Sequence, residues 1–163
     1  MPFKLPLTAD MTDILRMCIG RHPVLEQGKD QFDLRKAPAG TYVSWLKNDA
    51  GDVLGAIVST LPAVAYLGGS MIMIPTGAQK DMVETGCASE AIIDSMAEIN
   101  NMLRSAFNIV RKNDHVSPSE MVIFTPPAEN SEEAWVYAAA KRIDLKGQFP
   151  HGAGYMIILS RHG

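Results

Sequence analysis

The feature that most constrains the fold is a regular apolar spacing between residues 92 and 110. Apolar residues recur three or four positions apart, the period of one helix face: Ile92, Met96, Ile99, Leu103, Ala106 and Val110. Ser89 precedes them as a helix-capping residue type, and basic residues lie toward the other end, which suits the helix dipole. The sequence therefore predicts a long helix from Ser89 to about Lys112 with one face in the core.

A line of polar residues follows the opposite side of this predicted helix: Asp94, Glu98, Asn101, Ser105 and Asn108. Each lies two positions after a core residue, about 200° around the helix, so the line is expected to face solvent without a structural role. Glu90, Asp94 and Glu98 form an acidic row with no Lys or Arg three or four residues on. Because like charges at this spacing repel, the row favours a cation from outside the helix. An ordinary solvated face is the alternative.

Composition limits the classes of protein to consider. The 163 residues, 47% of them hydrophobic, predict one domain spanning 1–163. A net charge of −3 without a basic run argues against nucleic acid as a partner. The absence of a long apolar run predicts no membrane association and a cytoplasmic protein. Cys18 and Cys87 are expected to be reduced thiols, and the four histidines stand far apart, so no protein-bound metal is expected.

The first half of the chain is predicted to contain a short helix, a polar segment and a hairpin. Thr8 is expected to cap the helix, which ends at Gly20. Residues 21–40 are polar and broken by Pro and Gly, and no role is assigned to them. The hairpin is predicted from two strand-like runs around an Asn-Asp-Ala-Gly turn: Thr41–Lys47 and Asp52–Val58.

A second helix is predicted from Thr60 to about Met73, weakened by the pair Gly68-Gly69, with its Met-rich end assigned to packing. After the long helix, three segments have strand composition: Glu120–Thr125, Ala134–Leu145 and Gly154–Arg161. The middle segment is ambiguous, because Asn130 to Glu133 resembles a capping sequence and three alanines follow.

The segment Asp94 to Met102 resembles the signature helix of the CheC/CheX/FliY family of chemotaxis phosphatases. In that helix an acidic or Ser residue is followed by x-x-x-Glu-x-x-Asn, which matches Asp94, Glu98 and Asn101 here. The order of predicted elements is also similar, and the first helix lacks a Glu-x-x-Asn, so the chain is closest to the single-site CheX type. Family members commonly have Gly where this chain has Ser105. The resemblance implies an α+β fold with two principal helices packed on an antiparallel β-sheet.

The resemblance also implies a function, namely hydrolysis of the aspartyl-phosphate of a CheY-like response regulator. Asn101 would orient the attacking water and Glu98 would pair with the regulator's lysine. Asp94 and Ser105 would contact the partner, and Mg²⁺ would be held by the partner rather than by this chain. A homodimer is expected on the same ground. The alternatives are a non-catalytic binding or adaptor module of a two-component or flagellar-switch pathway, and an unrelated domain with a chance motif and a buried Asn101.

Overall fold

A computed structural model describes residues 3–20, 24–28, 31–110, 113–149 and 152–162. Its α-helices are α1 (Thr8–Ile19), α2 (Leu61–Ala63), α3 (Gly69–Met71), α4 (Thr76–Thr85) and α5 (Glu90–Asn108). A π-helical stretch, Val64–Gly68, joins α2 to α3, and two 3₁₀ helices cover Leu34–Lys36 and Glu132–Ala138. The strands are β1 (Val24–Gln27), β2 (Tyr42–Asn48), β3 (Val53–Ser59), β4 (Val116–Pro118), β5 (Val122–Ile123), β6 (Lys141–Phe149) and β7 (Gly152–Ser160).

All seven strands form one antiparallel sheet in the order β1-β6-β7-β3-β2-β4, and β5 also pairs with β2. The predicted hairpin is present as β2 and β3, with the Asn48 side chain accepting hydrogen bonds from the Ala50 and Asp52 amides in the turn. The helices pack on this sheet, which confirms the predicted α+β class.

The main core lies between the helices and one face of the sheet. The predicted apolar face of α5 is fully buried at Ile92, Met96 and Ile99, and Leu103 and Ala106 continue it. The helix ends earlier than predicted, at Asn108 instead of Lys112. Val110 therefore follows the helix and is half-buried, and residues 111 and 112 lie outside the described part of the chain.

The pair Gly68-Gly69 lies where the π-helical stretch ends, and it also has a packing role that the sequence did not reveal. A Cβ added to Gly68 would lie 2.7 Å from the Ile92 carbonyl oxygen and 3.1 Å from the Ile92 Cγ2. A Cβ on Gly69 would lie 2.8 Å from Cγ of the Gln79 side chain. The missing side chains thus let the helical segment 61–71 approach α5 and α4 closely.

A second, smaller core covers the other face of the sheet. Its buried members include Val43 and Val58 from the sheet, Leu34 from the first 3₁₀ helix and Val136 from the second. The segment 21–40, to which the sequence assigned no role, contributes β1 and the Leu34 turn. Both faces of the central strands are therefore buried, as continuous apolar runs permit.

A partly buried ion pair fixes this cover to the sheet. The Arg142 guanidinium donates two hydrogen bonds to the Asp144 carboxylate, at 2.6 and 2.8 Å. Asp144 also accepts from the Phe32 amide at 2.6 Å, and Arg142 donates to the Phe32 carbonyl. The segment before the first 3₁₀ helix is thus attached to β6 by charge-assisted bonds.

Several boundaries differ from prediction. Leu7, without a side-chain hydrogen bond, occupies the cap position of α1, and Thr8 is its first helical residue. The predicted strand Glu120–Thr125 reduces to β5. The predicted strand Ala134–Leu145 begins within the 3₁₀ helix Glu132–Ala138 and becomes β6 only at Lys141, because Val136 of that turn is buried in the second core.

Two further differences concern the region after the second helix. No helix is predicted there from the sequence, yet α4 forms at Thr76–Thr85 with Gly77 inside it and the left-handed Gly86 ending it. The Met-rich stretch before α4 is not all packing. Met73 is 89% exposed and has a positive φ of 58°, while Met71 and Ile74 pack against the core.

We expect Gly68→Ala to lower the free energy of unfolding by about 1–3 kcal/mol, since its Cβ would overlap the Ile92 backbone. Urea denaturation followed by circular dichroism measures the change. The matched control is Gly77→Ala in α4, where nothing lies within 4 Å of the added Cβ. That control should be neutral or stabilising by roughly 0.5–1 kcal/mol. Equal midpoints for the two variants would contradict the close packing at Gly68.

Candidate functional site

The outer face of α5 is the candidate site. Ser89 caps the helix, because its hydroxyl oxygen accepts a hydrogen bond from the Ile92 amide, and the buried face then fixes which residues point outward. The structure places the five residues of the predicted polar line on that outer side: Asp94, Glu98 and Ser105 are exposed, and Asn101 and Asn108 are half-exposed. The alternative of an unrelated domain with a chance motif predicts a buried Asn101, and this arrangement does not fit it.

The polar line divides into bonded and unbonded side chains. Asn108 donates to the Val116 carbonyl at 3.3 Å and accepts from the Val116 amide at 3.0 Å, so it has a structural role that the sequence did not reveal. Ser105 donates to the Met102 carbonyl at 2.7 Å. Asp94, Glu98 and Asn101 form no hydrogen bond or ion pair with any residue that the structure describes. These three remain available to a partner.

Asn100, the neighbour of Asn101, is structural. It is 1% exposed, and its amide nitrogen donates to the Ser44 hydroxyl at 3.2 Å and to the Met121 sulfur at 3.6 Å. Arg104 donates to the Ser117 hydroxyl at 2.9 Å on the same side of the helix. These contacts with β2 and β4, together with that of Asn108, fix the rotation of α5 so that Asn101 faces outward.

On its other side the line borders α1. The Cys18 thiol donates to the Met102 sulfur at 3.1 Å. Burial, and after it the negative charge of Glu98, raise the pKa of the Cys18 thiol. The Glu98 carboxylate therefore lies close to the end of α1. The sequence did not connect Cys18 with the site, because 84 residues separate it from Met102.

The arrangement can orient a small polar molecule and can bind a cation. An amide both donates and accepts hydrogen bonds, and a carboxylate one turn away accepts them or pairs with a positive charge. Among the residues that the structure describes, no three His, Cys, Asp or Glu side chains gather into a metal-binding group. No helix in that part of the chain has the length and apolar character of a membrane span.

A shallow cavity of about 280 Å³ lies on the other face of the sheet, away from α5. The rings of Trp45 and Trp135 line it, with their centroids 6.2 Å apart and the Arg161 guanidinium 5.9 Å from the second ring. Sequence reasoning did not single out these residues. Their partners come from distant segments, so no local pattern reveals the cavity.

No family model matches this chain, and no curated protein matches it. Solved structures do match it: the FliM middle domain from H. pylori has a TM-score of 0.59 at 9% identity, covering 94% of this chain and 84% of that one. A CheC-like superfamily protein from Shewanella sp. PV-4 has 0.54 at 14%, covering 94% of both chains. A chain of the CheX–CheY–BeF3–Mg²⁺ complex from Borrelia burgdorferi has 0.53 at 10%, covering 92% of this chain and 91% of that one.

These similarities define the class of structure as an α+β fold found in chemotaxis and flagellar proteins. In particular, the chain has the CheC/CheX-like fold, as the resemblance of its α5 segment implied.

We expect Glu98→Gln to lower the pKa of the Cys18 thiol, because removing the carboxylate charge favours the thiolate. Below that pKa, iodoacetamide should then alkylate Cys18 faster than in the unmodified protein, as followed by mass spectrometry across pH. Asp94→Asn is the matched control and should leave the Cys18 profile unchanged. Identical Cys18 profiles for Glu98→Gln and the unmodified protein would show that the carboxylate is not beside the thiol.

Proposed function

We propose that this protein accelerates hydrolysis of the aspartyl-phosphate of a CheY-like response regulator, with the outer face of α5 as its active surface. The observation that supports the proposal is that Glu98 and Asn101 form no hydrogen bond or ion pair with the part of the chain that the structure describes. Other polar side chains of the same helix, such as Asn100, Arg104 and Asn108, bond within the protein. Glu98 and Asn101, which have no such bonds among the described residues, can therefore bind a partner or orient a water.

Asn101 is proposed to orient the attacking water. An aspartyl-phosphate is an acyl phosphate and is already activated, so hydrolysis needs a water held in line with the phosphorus more than it needs a nucleophile from the protein. A side-chain amide can accept a hydrogen bond from the water and donate one to a phosphoryl oxygen. Neither the oxygen nor the nitrogen of the Asn101 amide bonds to a residue that the structure describes, and the side chain is partly exposed on α5.

Glu98 is proposed to pair with the regulator's lysine. The acidic row Glu90, Asp94 and Glu98 has no cation beside it among the described residues, so a basic group from a partner would relieve its repulsion. The CheX structure from Borrelia burgdorferi was solved with CheY, BeF3 and Mg²⁺. By analogy, Mg²⁺ would belong to the partner's phosphorylation site.

Asp94 and Ser105 are proposed as supporting docking contacts on either side of this pair. The Ser105 hydroxyl hydrogen is used within its own helix, so the side chain would meet a partner through its Cβ and its oxygen lone pairs. A homodimer and a cytoplasmic location belong to the same proposal and rest on the family resemblance.

A second candidate is a non-catalytic binding module of a flagellar switch. The FliM middle domain supports it, because this chain shares its fold with a TM-score of 0.59. FliM is also described in a complex with FliG. The lifetime of the phosphate on a receiver domain, measured with and without this protein, separates the two functions, because only the phosphatase shortens it.

Asn101→Ala should slow phosphate release from an acetyl-phosphate-labelled CheY-type receiver of the same genome by about a hundredfold or more, because the water loses its positioning group. Loss of ³²P from the receiver measures the rate. Asn130→Ala removes an exposed amide far along the chain and should leave the rate unchanged. Undiminished activity of Asn101→Ala, with the control also active, would eliminate Asn101 as the catalytic residue.

Glu98→Lys should raise the Kd for the BeF3-treated receiver by at least about thirtyfold, since it replaces a charge pair with a like-charge contact. Fluorescence anisotropy of a labelled receiver measures this affinity. Glu84→Lys is the matched control, because Glu84 is an exposed helical glutamate on α4. An equal Kd for both variants would remove Glu98 from the interface.

A further inference from the structure

Two large apolar side chains are exposed on the same side of α5 as the candidate site. Met102 is 40% exposed and Ile109 is 69% exposed. Met102 lies four residues after Glu98 and Ile109 four residues after Ser105, so each is about 40° around the helix from that residue, and they lie about 100° and 80° from Asn101. Ile109 keeps helical backbone angles at the cap position. We call this pair the apolar flank.

The exposed face of α5 therefore changes character along its length. The first half carries the acidic row Glu90, Asp94 and Glu98. The second half presents Ser105 and the apolar flank, and its charged residue, Arg104, turns aside to bond Ser117. Asn101 lies where the two halves meet.

Met102 is also held in position from the side. The Cys18 thiol contacts its sulfur at 3.1 Å, which limits the freedom of a side chain that is otherwise flexible. A pre-positioned apolar group loses less conformational entropy when a partner covers it. Methionine is among the residue types enriched at protein–protein interfaces.

Building on the proposed function, we propose that this face docks the receiver domain in one orientation. The acidic half meets the receiver's basic active-site end, and the apolar flank covers an apolar patch on the same receiver, so that the flank supplies affinity and Asn101 is left over the phosphate.

Charge complementarity selects this occupant over a second copy of the chain. Two α5 helices facing each other in parallel would place acidic row against acidic row. In the antiparallel arrangement each row would lose solvent against an apolar flank without gaining a cation. A receiver with a lysine beside an apolar patch would pair with the acidic row and cover the apolar flank at the same time.

The test compares Met102→Ser and Ile109→Ser with Ile123→Ser, a control on β5 whose side chain is similarly exposed at 62%. Each flank variant should raise the Kd for the BeF3-treated receiver and the KM for phosphate release about fivefold to tenfold while leaving kcat within about twofold. Met102→Leu should retain affinity because it keeps the apolar area. Ile123→Ser should change nothing.

The outcomes separate this inference from the proposed function. Unchanged Kd and KM in both flank variants, with active unmodified protein, overturns the inference and leaves the function standing. If the flank variants bind the receiver more weakly but the unmodified protein does not hydrolyse the phosphate, the inference is supported and the proposed catalysis is wrong. Loss of self-association by light scattering, without a change in receiver affinity, assigns the flank to a second copy and overturns the inference. No receiver binding by the unmodified protein overturns both.

Discussion

The rotation of α5 about its own axis is the constraint on which the site depends. Successive helical residues differ by 100°, so a turn by one position would carry Asn101 into the buried place of Asn100, and Asn100 into the buried place of Ile99. Three kinds of contact oppose such a turn: the buried apolar face, the hydrogen bond from Asn100 to Ser44, and the close approach of Gly68 to the Ile92 carbonyl. Burying an amide without partners costs a few kcal/mol, so the observed rotation is strongly preferred. The fold thereby sets the direction of Glu98 and Asn101 without a hydrogen bond or ion pair from any described residue to either side chain.

Elements with a strong local period could be predicted from sequence, and elements that depend on distant partners could not. The spacing of α5 and the turn residues of the β2–β3 hairpin are local patterns, and both elements are present. The cover of the second sheet face joins the segment around Phe32 to Asp144, 112 residues away, so no window contains both. One indication was available, since the uninterrupted apolar run Met156 to Leu159 in β7 lacks the alternation of a strand with one solvated face.

The candidate site shows the same division. Helical period alone predicted which residues of α5 face outward, because exposure follows from angle. The role of each residue in the polar line depended on which groups of other helices and strands contact it. Asn108 meets the backbone of β4 and becomes structural, while Cys18 reaches Met102 from α1. An amide that supports the fold and an amide that is free look alike in sequence, and only tertiary contacts distinguish Asn108 from Asn101.

The fold alone does not decide between a phosphatase and a switch component, because FliM and CheX structures share it. The decision rests on which side chains the fold requires. Asn100 and Asn108 stabilise the attachment of α5, so a binding module and an enzyme would both retain them. Glu98 and Asn101 contribute no described bond to stability, and the acidic row costs an isolated helix roughly 0.2–0.5 kcal/mol for each like-charge pair. The helix dipole favours Glu90 in the first turn and offsets part of this repulsion, so the fold neither requires the row nor clearly loses by it. Under the proposed function, a partner that brings a cation and a phosphoryl group would engage this row together with Asn101.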